Sequence, residues 1–191
     1  MKSNNFNPSG LTEIQTRIYH SPCGDLMLGA LGDRLCLCDW EIPGSRRPAV
    51  RRRLKRLLGA EMRQGENPVL DKAVAQLDEY FAGQRREFSI PLLPVGTPFQ
   101  LQAWGALLTI PYGTTITYGA QAASMTCPPS APLGHPLAAR AVGSANSANL
   151  LSLFLPCHRV VTANFTPGGY AGGLAALGFL QNLEEKVLAK G

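Results

Sequence analysis

Apolar positions in the first part of the chain come in short runs, at residues 14–19, 26–31 and 35–40. The segments Ser21-Pro22-Cys23-Gly24-Asp25 and Gly32-Asp33 separate them and are turn signals, so three strands are predicted. The period then changes. Residues 46–58 form a basic helix candidate, and Asn67-Pro68 opens a second helix, with Asn as N-cap and Pro in the first turn. Leu70, Val74, Leu77 and Phe81 follow at helical spacing, and Gly83 lies just past the end. An antiparallel sheet with helices is the expected arrangement.

From residue 97 onward the pattern is mostly helical. Thr97-Pro98-Phe99-Gln100 fits a capping box, in which the Thr hydroxyl accepts from the Gln100 amide and the Gln side chain reaches back. Leu101, Trp104, Leu107 and Leu108 are the expected buried face, and Pro111-Tyr112-Gly113 ends the helix. A short helix is predicted near Tyr118, and another from Leu137 to about Ser147. Residues 150–155 (LLSLFL) read as a short buried strand, 168–173 as a Gly-rich turn and 174–188 as a last helix. The two short helices suggest a helix-turn-helix. The break near residues 92–96 (LLPVG) predicts two domains, 1–92 and 97–191.

Composition narrows the class. The 191 residues are 45% hydrophobic and 16% charged, which suits a globular chain and excludes a disordered one. The net charge of +5 permits an anionic partner without demanding one. Five cysteines, an odd number, argue against a complete disulfide framework, and the first ten residues hold no apolar signal core. Free thiols in a reducing cytoplasm are the expectation. Residues 97–139 carry no formal charge, but Pro111, Pro128, Pro129, Pro132 and Pro136 break them, so no membrane span is expected.

The candidate chemistry lies in Pro156-Cys157-His158-Arg159-Val160, directly after the apolar run. A thiolate is the reactive form of cysteine, and an imidazole linked to a carboxylate can draw its proton away. Taken alone the dipeptide is common. Its context is not: GTPFQ (96–100), IPYG (110–113), TYG (117–119), AARAVGSANSAN (138–149), PCHRV (156–160), GYAGGL (169–174) and a closing helix with Glu184 occur in order. In this ordered set the chain resembles the O6-alkylguanine-DNA alkyltransferases, also called methylated-DNA–protein-cysteine methyltransferases. The segment SPCGDLMLGALGDRLCLCDWE is a softer match to some bacterial members.

The resemblance implies a ribonuclease H-like α/β domain followed by a mostly α, winged helix-turn-helix domain. It implies a monomeric repair protein that binds double-stranded DNA through the minor groove. Such a protein flips an O6-alkylguanine (and O4-alkylthymine) out of the stack and moves the alkyl group irreversibly to its own cysteine, without cofactor or metal. By motif position Cys157 is the acceptor and His158 deprotonates it through a water. Glu184 orients that His, Asn149 braces the turn, and Tyr170 helps donate to the departing guanine. Tyr118 pushes the 3′ phosphate and Arg140 is the finger that replaces the extruded base. Ala139, Ala141 and Gly143 form the DNA-facing helix, and Val160 and Ala171 line the pocket. A helix of such small residues can approach a narrow groove but reads little sequence, so modest affinity and a shallow salt dependence are expected.

Plainer readings stand beside these. Arg140 suits a surface salt bridge, Tyr118 and Tyr170 suit half-buried core positions, and spacing does not separate Glu184 from Glu185. Cys36 and Cys38 share one strand face, as core or as a metal pair, with core favoured; Cys23 and Cys127 read as loop thiols, and His20 and His135 have no visible partner. The basic run 46–56 reads as a solvated face. The stretch between Tyr118 and Arg140 is longer than in the family, the extra material being 124–132, where a bulged loop with both helices retained is expected. Ala120 stands where an acidic residue would complete a helix cap, and the turn FTPGGYAGG departs at the pocket mouth. An alkylated-DNA sensor that transfers nothing and an unrelated Cys–His hydrolase are the rival functions.

Overall fold

The computed structural model describes residues 10–41, 47–125, 136–164 and 169–189. Two compact units divide the chain, Met1–Val95 and Gly96–Gly191.

In the first unit, β1 (Glu13–Ser21), β2 (Gly24–Leu31) and β3 (Arg34–Trp40) form antiparallel neighbours as expected. A fourth strand, β4 (Glu61–Gln64), adds to the far edge in the order β3-β2-β1-β4 and runs parallel to β1. The sheet is therefore mixed, a correction to the purely antiparallel expectation. β4 has no sequence signature because only Met62 of its four residues is buried. The helix α1 (Arg47–Leu58) buries Val50, Leu54 and Leu58. Of its cations, Arg51 donates to the Met62 carbonyl, Arg53 donates to the Val95 carbonyl and Lys55 pairs with Glu61, while Arg52 and Arg56 are exposed.

The next helix, α2 (Pro68–Phe81), is capped as expected, with Asn67 Oδ1 accepting from the Val69 amide at 2.8 Å. The same Asn67 donates to the Gly32 carbonyl at 2.9 Å, so one side chain both starts the helix and ties it to the β2–β3 turn. Val69, Leu70, Ala73, Leu77 and Tyr80 are its buried residues. Cys36 and Cys38 are buried in β3, and burial pushes the Cys36 thiol up to about 12. His20, contrary to expectation, has a partner: its Nδ1 lies 2.8 Å from Asp25 across the β1–β2 pair.

In the second unit, α3 (Pro98–Leu107) begins with the full capping box, Gln100 N–H to Thr97 Oγ1 at 3.2 Å and Thr97 N–H to Gln100 Oε1 at 3.0 Å. Ala103, Trp104, Ala106 and Leu107 are buried. Leu108 is not: it sits at the C-cap and is 60% exposed, because the helix ends before its side chain can turn inward. Next come β5 (Ile116–Thr117), α4 (Tyr118–Ser124) and α5 (Pro136–Ser147). Both short helices are thus present on either side of the long connection, whose residues 126–135, with Cys127 and His135, lie outside the described residues. Thr117 caps α4 by accepting from the Ala120 amide at 3.1 Å, half of a capping box. A further strand, β6 (Val160–Val161), pairs in parallel with β5, and α6 (Gly173–Leu188) closes the chain. Among the described residues no helix is long and apolar enough to cross a membrane.

Residues 150–155 are buried throughout but are not a strand. Leu151 makes an isolated bridge, but the stretch turns on local bonds, Phe154 N–H to Ser152 O at 2.9 Å and Leu155 N–H to Leu151 O at 2.8 Å, and Leu153 has φ +68°. The cause is Asn149, whose Oδ1 accepts from the Leu151 amide while its Nδ2 donates to the Leu155 carbonyl. Both ends of the apolar run are held by one side chain, which folds it into a loop.

Candidate active site

The loop braced by Asn149 delivers the chain to a single 3₁₀ turn, Cys157–Arg159. Asn149 Nδ2 points at Cys157 Sγ as well, at 3.5 Å. Cys157 is a half-exposed thiol, whereas Cys36 and Cys38 are buried. An accessible thiol with an N–H aimed at its sulfur is the arrangement in which negative charge on sulfur is favoured.

His158, beside it, is fully buried. Its Nε2 lies 2.9 Å from Glu184 Oε1. A carboxylate only accepts, so Nε2 carries the hydrogen and, in the neutral ring, Nδ1 is the basic atom. Nδ1 is buried and bonds to no protein atom among the described residues. The ring backbone is held too, with Gln181 Nε2 donating to the His158 carbonyl at 2.8 Å.

Glu184 is 1% exposed, while its neighbour Glu185 points to solvent, which separates two residues that spacing alone did not. Three residues converge on its carboxylate. Besides His158, Arg159 donates through Nη2 to Oε1 at 2.9 Å and through Nε to Oε2 at 3.0 Å, and the Gly113 amide donates to Oε2 at 2.8 Å. Burial alone would raise this carboxyl, but the bonds and charges of His158 and Arg159 outweigh it and bring it from its ordinary 4.5 down to about 2. The folded value is the lower one, so the unfolded chain takes up this proton first. Its contribution to stability is complete above about pH 5. It is lost as pH falls from 4.5 towards about 2. Thermal melts across that window are expected to show an acid-labile component in the native chain that a Glu184→Gln variant lacks.

Arg159 is the residue that sequence reasoning left without a role. It is 9% exposed, its Nη1 donates to the Ile110 carbonyl at 2.8 Å, and its guanidinium lies 5.4 Å from the centre of the Tyr112 ring. The available signal was its position, a charged residue set between the apolar run 150–155 and Val160-Val161. Gly113 is required where it stands: φ is +73°, and a Cβ there would run into Leu188.

The remaining candidates divide by face. Val160 is buried in β6, Ala171 is half-buried, and the Tyr170 phenol oxygen is buried with the Tyr170 carbonyl capping the start of α6 through Gly173 N–H. On α5, Ala138, Val142 and Ala145 face inward, Arg140 is exposed, and Ala139, Ala141 and Gly143 are half-buried. Tyr118, at the start of α4, packs against that helix; a Cβ on Gly143 would meet its ring at 3.8 Å. Burial and the nearby Cys157 sulfur push its phenol up, so the tyrosine and the thiol are electrostatic neighbours. Among the described residues no group of three or more His, Cys, Asp or Glu is placed to hold a metal.

Comparison with known proteins agrees with this arrangement. Residues 98–186 match the family described as 6-O-methylguanine DNA methyltransferase, DNA binding domain, and residues 14–94 match its ribonuclease-like domain. The constitutive methylated-DNA–protein-cysteine methyltransferase of Bacillus subtilis is 48% identical over 120 residues, which span 62% of this chain and 68% of that protein. The Mycobacterium leprae methylated-DNA–protein-cysteine methyltransferase is 50% identical over 57% of this chain and 61% of its own length. A crystal structure of Mycobacterium tuberculosis O6-methylguanine methyltransferase superposes with a TM-score of 0.73 at 35% identity, covering 91% of this chain and 93% of that one. The Mycobacterium tuberculosis OGT structure in complex with DNA gives a TM-score of 0.71 at 36% identity, covering 92% and 94%. With both domains matched and the Cys157–His158–Glu184 constellation assembled in the second, the chain belongs to the methylated-DNA–protein-cysteine methyltransferase family.

Proposed function

We propose that this chain repairs O6-alkylguanine in double-stranded DNA by a single, irreversible transfer of the alkyl group to Cys157. The observation that carries the reading is the His158 ring, whose Nε2–H is committed to Glu184 and whose Nδ1 is thereby left as the basic atom, on the residue next to Cys157 in the chain.

In the proposed reaction Nδ1 of His158 takes the thiol proton through a water. The sulfur attacks the alkyl carbon, the S–C bond forms as the C–O bond breaks, and the electron pair leaves on the guanine. Tyr170 assists by donating towards the base, which lowers the barrier to expelling a poor leaving group. Displacement at saturated carbon suits a polarisable sulfur. The thioether has no route back to thiol, so each molecule acts once, as a monomer and without cofactor.

Lesion capture falls to α4 and α5. Ala139, Ala141 and Gly143 let α5 approach the minor groove closely, Tyr118 presses the backbone, and Arg140 fills the gap left by the extruded base. Val160 and Ala171 line the receiving pocket. Extrusion costs a few kcal/mol. Removing the finger by Arg140→Ala is therefore expected to slow transfer from a lesion duplex by about 10- to 100-fold. Transfer from free O6-benzylguanine base, which needs no flipping, should hold; single-turnover assays with the two substrates check this. A cytoplasmic setting goes with this reading, since the reaction needs access to chromosomal DNA and a reduced thiol.

A titration with excess O6-methylguanine duplex tests the reading. Repair that stops at one lesion per protein supports it. Continued turnover favours a hydrolase, and binding without repair favours a sensor.

A further inference from the structure

Buried between α4 and α5 is a pair of amides that the repair chemistry does not use. Gln121 is 0% exposed and Asn146 6%. They exchange two hydrogen bonds, Gln121 Nε2–H to Asn146 Oδ1 at 3.2 Å and Asn146 Nδ2–H to Gln121 Oε1 at 2.7 Å. Gln121 Nε2 also donates to the Ala103 carbonyl of α3 at 2.9 Å. One reciprocal pair thus joins three helices.

Its place in the chain gives it leverage. Gln121 is one helical turn after Tyr118, and Asn146 lies between Arg140 and Asn149. The surrounding core is mostly alanine: Ala103, Ala106, Ala122, Ala138 and Ala145, with Met125 and Val142. Small side chains interdigitate little, so packing alone resists sliding of α5 along α4 only weakly. The α4 helix has seven residues, too few to be stable by itself. The direct chain link between the helices is the long connection after Ser124. Directional bonds between buried amides supply what apolar contact does not, a single register.

We propose that the Gln121–Asn146 pair positions α5 against α3 and α4, fixing how Arg140 and Tyr118 meet the lesion duplex despite the lengthened connection. The inference rests on the reading of α5 as the DNA-facing helix. Gln121 and Asn146 are positioning residues; neither is placed to touch substrate.

The test compares the full-length chain with Gln121→Met, Asn146→Leu and the double variant. Three readouts are taken: thermal melting, single-turnover transfer from an O6-methylguanine duplex, and transfer from free O6-benzylguanine. Each single change orphans an amide and should lower the melting temperature. The double removes both amides and should recover it. Duplex transfer by the double should stay about tenfold or more below the native rate, a loss of the size expected for one coupled contact, while free-base transfer stays within about twofold. A double variant with native duplex transfer would make the pair a space-filler and overturn the proposal, as would duplex and free-base rates falling in parallel. Should the double not fold, Gln121→Glu decides: it keeps the shape and accepts from Asn146 but supplies at most one of the two donations, since burial favours the protonated acid with its single O–H. An unchanged ratio of duplex to free-base rates in that variant overturns the proposal, and a lowered ratio supports it. If the native chain transfers from neither substrate, the repair reading itself fails; if it transfers and the ratio ignores the pair, only this inference does.

Discussion

Cys157→Ser is expected to abolish alkyl transfer while leaving the fold and lesion binding intact. The substitution is nearly isosteric, and Asn149 Nδ2, which lies 3.5 Å from the sulfur, can donate to an oxygen as readily. What is lost is the nucleophile. A thiol titrates at about 8.5, so a base with modest help generates the attacking anion at neutral pH. An aliphatic hydroxyl is far less acidic, and its oxygen is a harder, less polarisable partner for saturated carbon. Fluorescence anisotropy with a lesion duplex should report native affinity, and a repair assay on the same preparation should report none. Residual repair would place the acceptor elsewhere; of the other described cysteines, Cys36 and Cys38 are buried and Cys23 is half-exposed with its sulfur beside Ser21 Oγ.

Glu184→Gln has the second largest expected effect, and it acts on two properties. The amide oxygen can still accept from His158 Nε2, but it carries no charge with which to support a ring that has taken a proton. Loss of this kind of assisted proton transfer slows chemistry by about 10²- to 10⁴-fold. Stability falls as well, because the Arg159 guanidinium, 9% exposed, is left buried without its counter-charge. Breaking a buried pair by removing one partner costs about 3–5 kcal/mol. Arg159→Met separates the two effects. It removes the cation and its stabilisation but leaves the His158–Glu184 bond, so melting temperature should fall while transfer at a temperature well below the melt drops much less. Equal loss of transfer in both variants would mean that Glu184 serves the fold alone.

The legible parts of this molecule were those with local chemistry. Asn67-Pro68 and Thr97-Pro98-Phe99-Gln100 announce helix starts because capping is settled within four residues, and both caps form as expected. The three strands β1–β3 are long and bounded by turn residues. By contrast, β5 and β6 are two residues each, and β4 has a single buried side chain, so periodicity has nothing to act on. The run at 150–155 misled because an unbroken apolar stretch is compatible with any buried conformation. Its loop form is imposed by Asn149, whose two bonds to Leu151 and Leu155 no hydrophobicity pattern encodes.

The candidate site shows the same division. Cys157 and His158 are adjacent in sequence, and the ordered motifs around them carried the resemblance. The contributions of Arg159 and Gly113 were hidden because each meets Glu184 only after α6 folds back, across 25 and 71 residues. The Gln121–Asn146 pair was hidden for a related reason: across 25 residues, two amides in helical segments look like surface positions until both prove buried.

The most direct measurement is to incubate the protein with duplex DNA carrying O6-methylguanine with an isotopically labelled methyl group, then digest the protein and map the label by mass spectrometry. Label confined to the peptide containing Cys157, saturating at one equivalent and absent from Cys157→Ser, is the predicted result. Label on another residue, or repair that leaves the protein unmodified, would contradict the account.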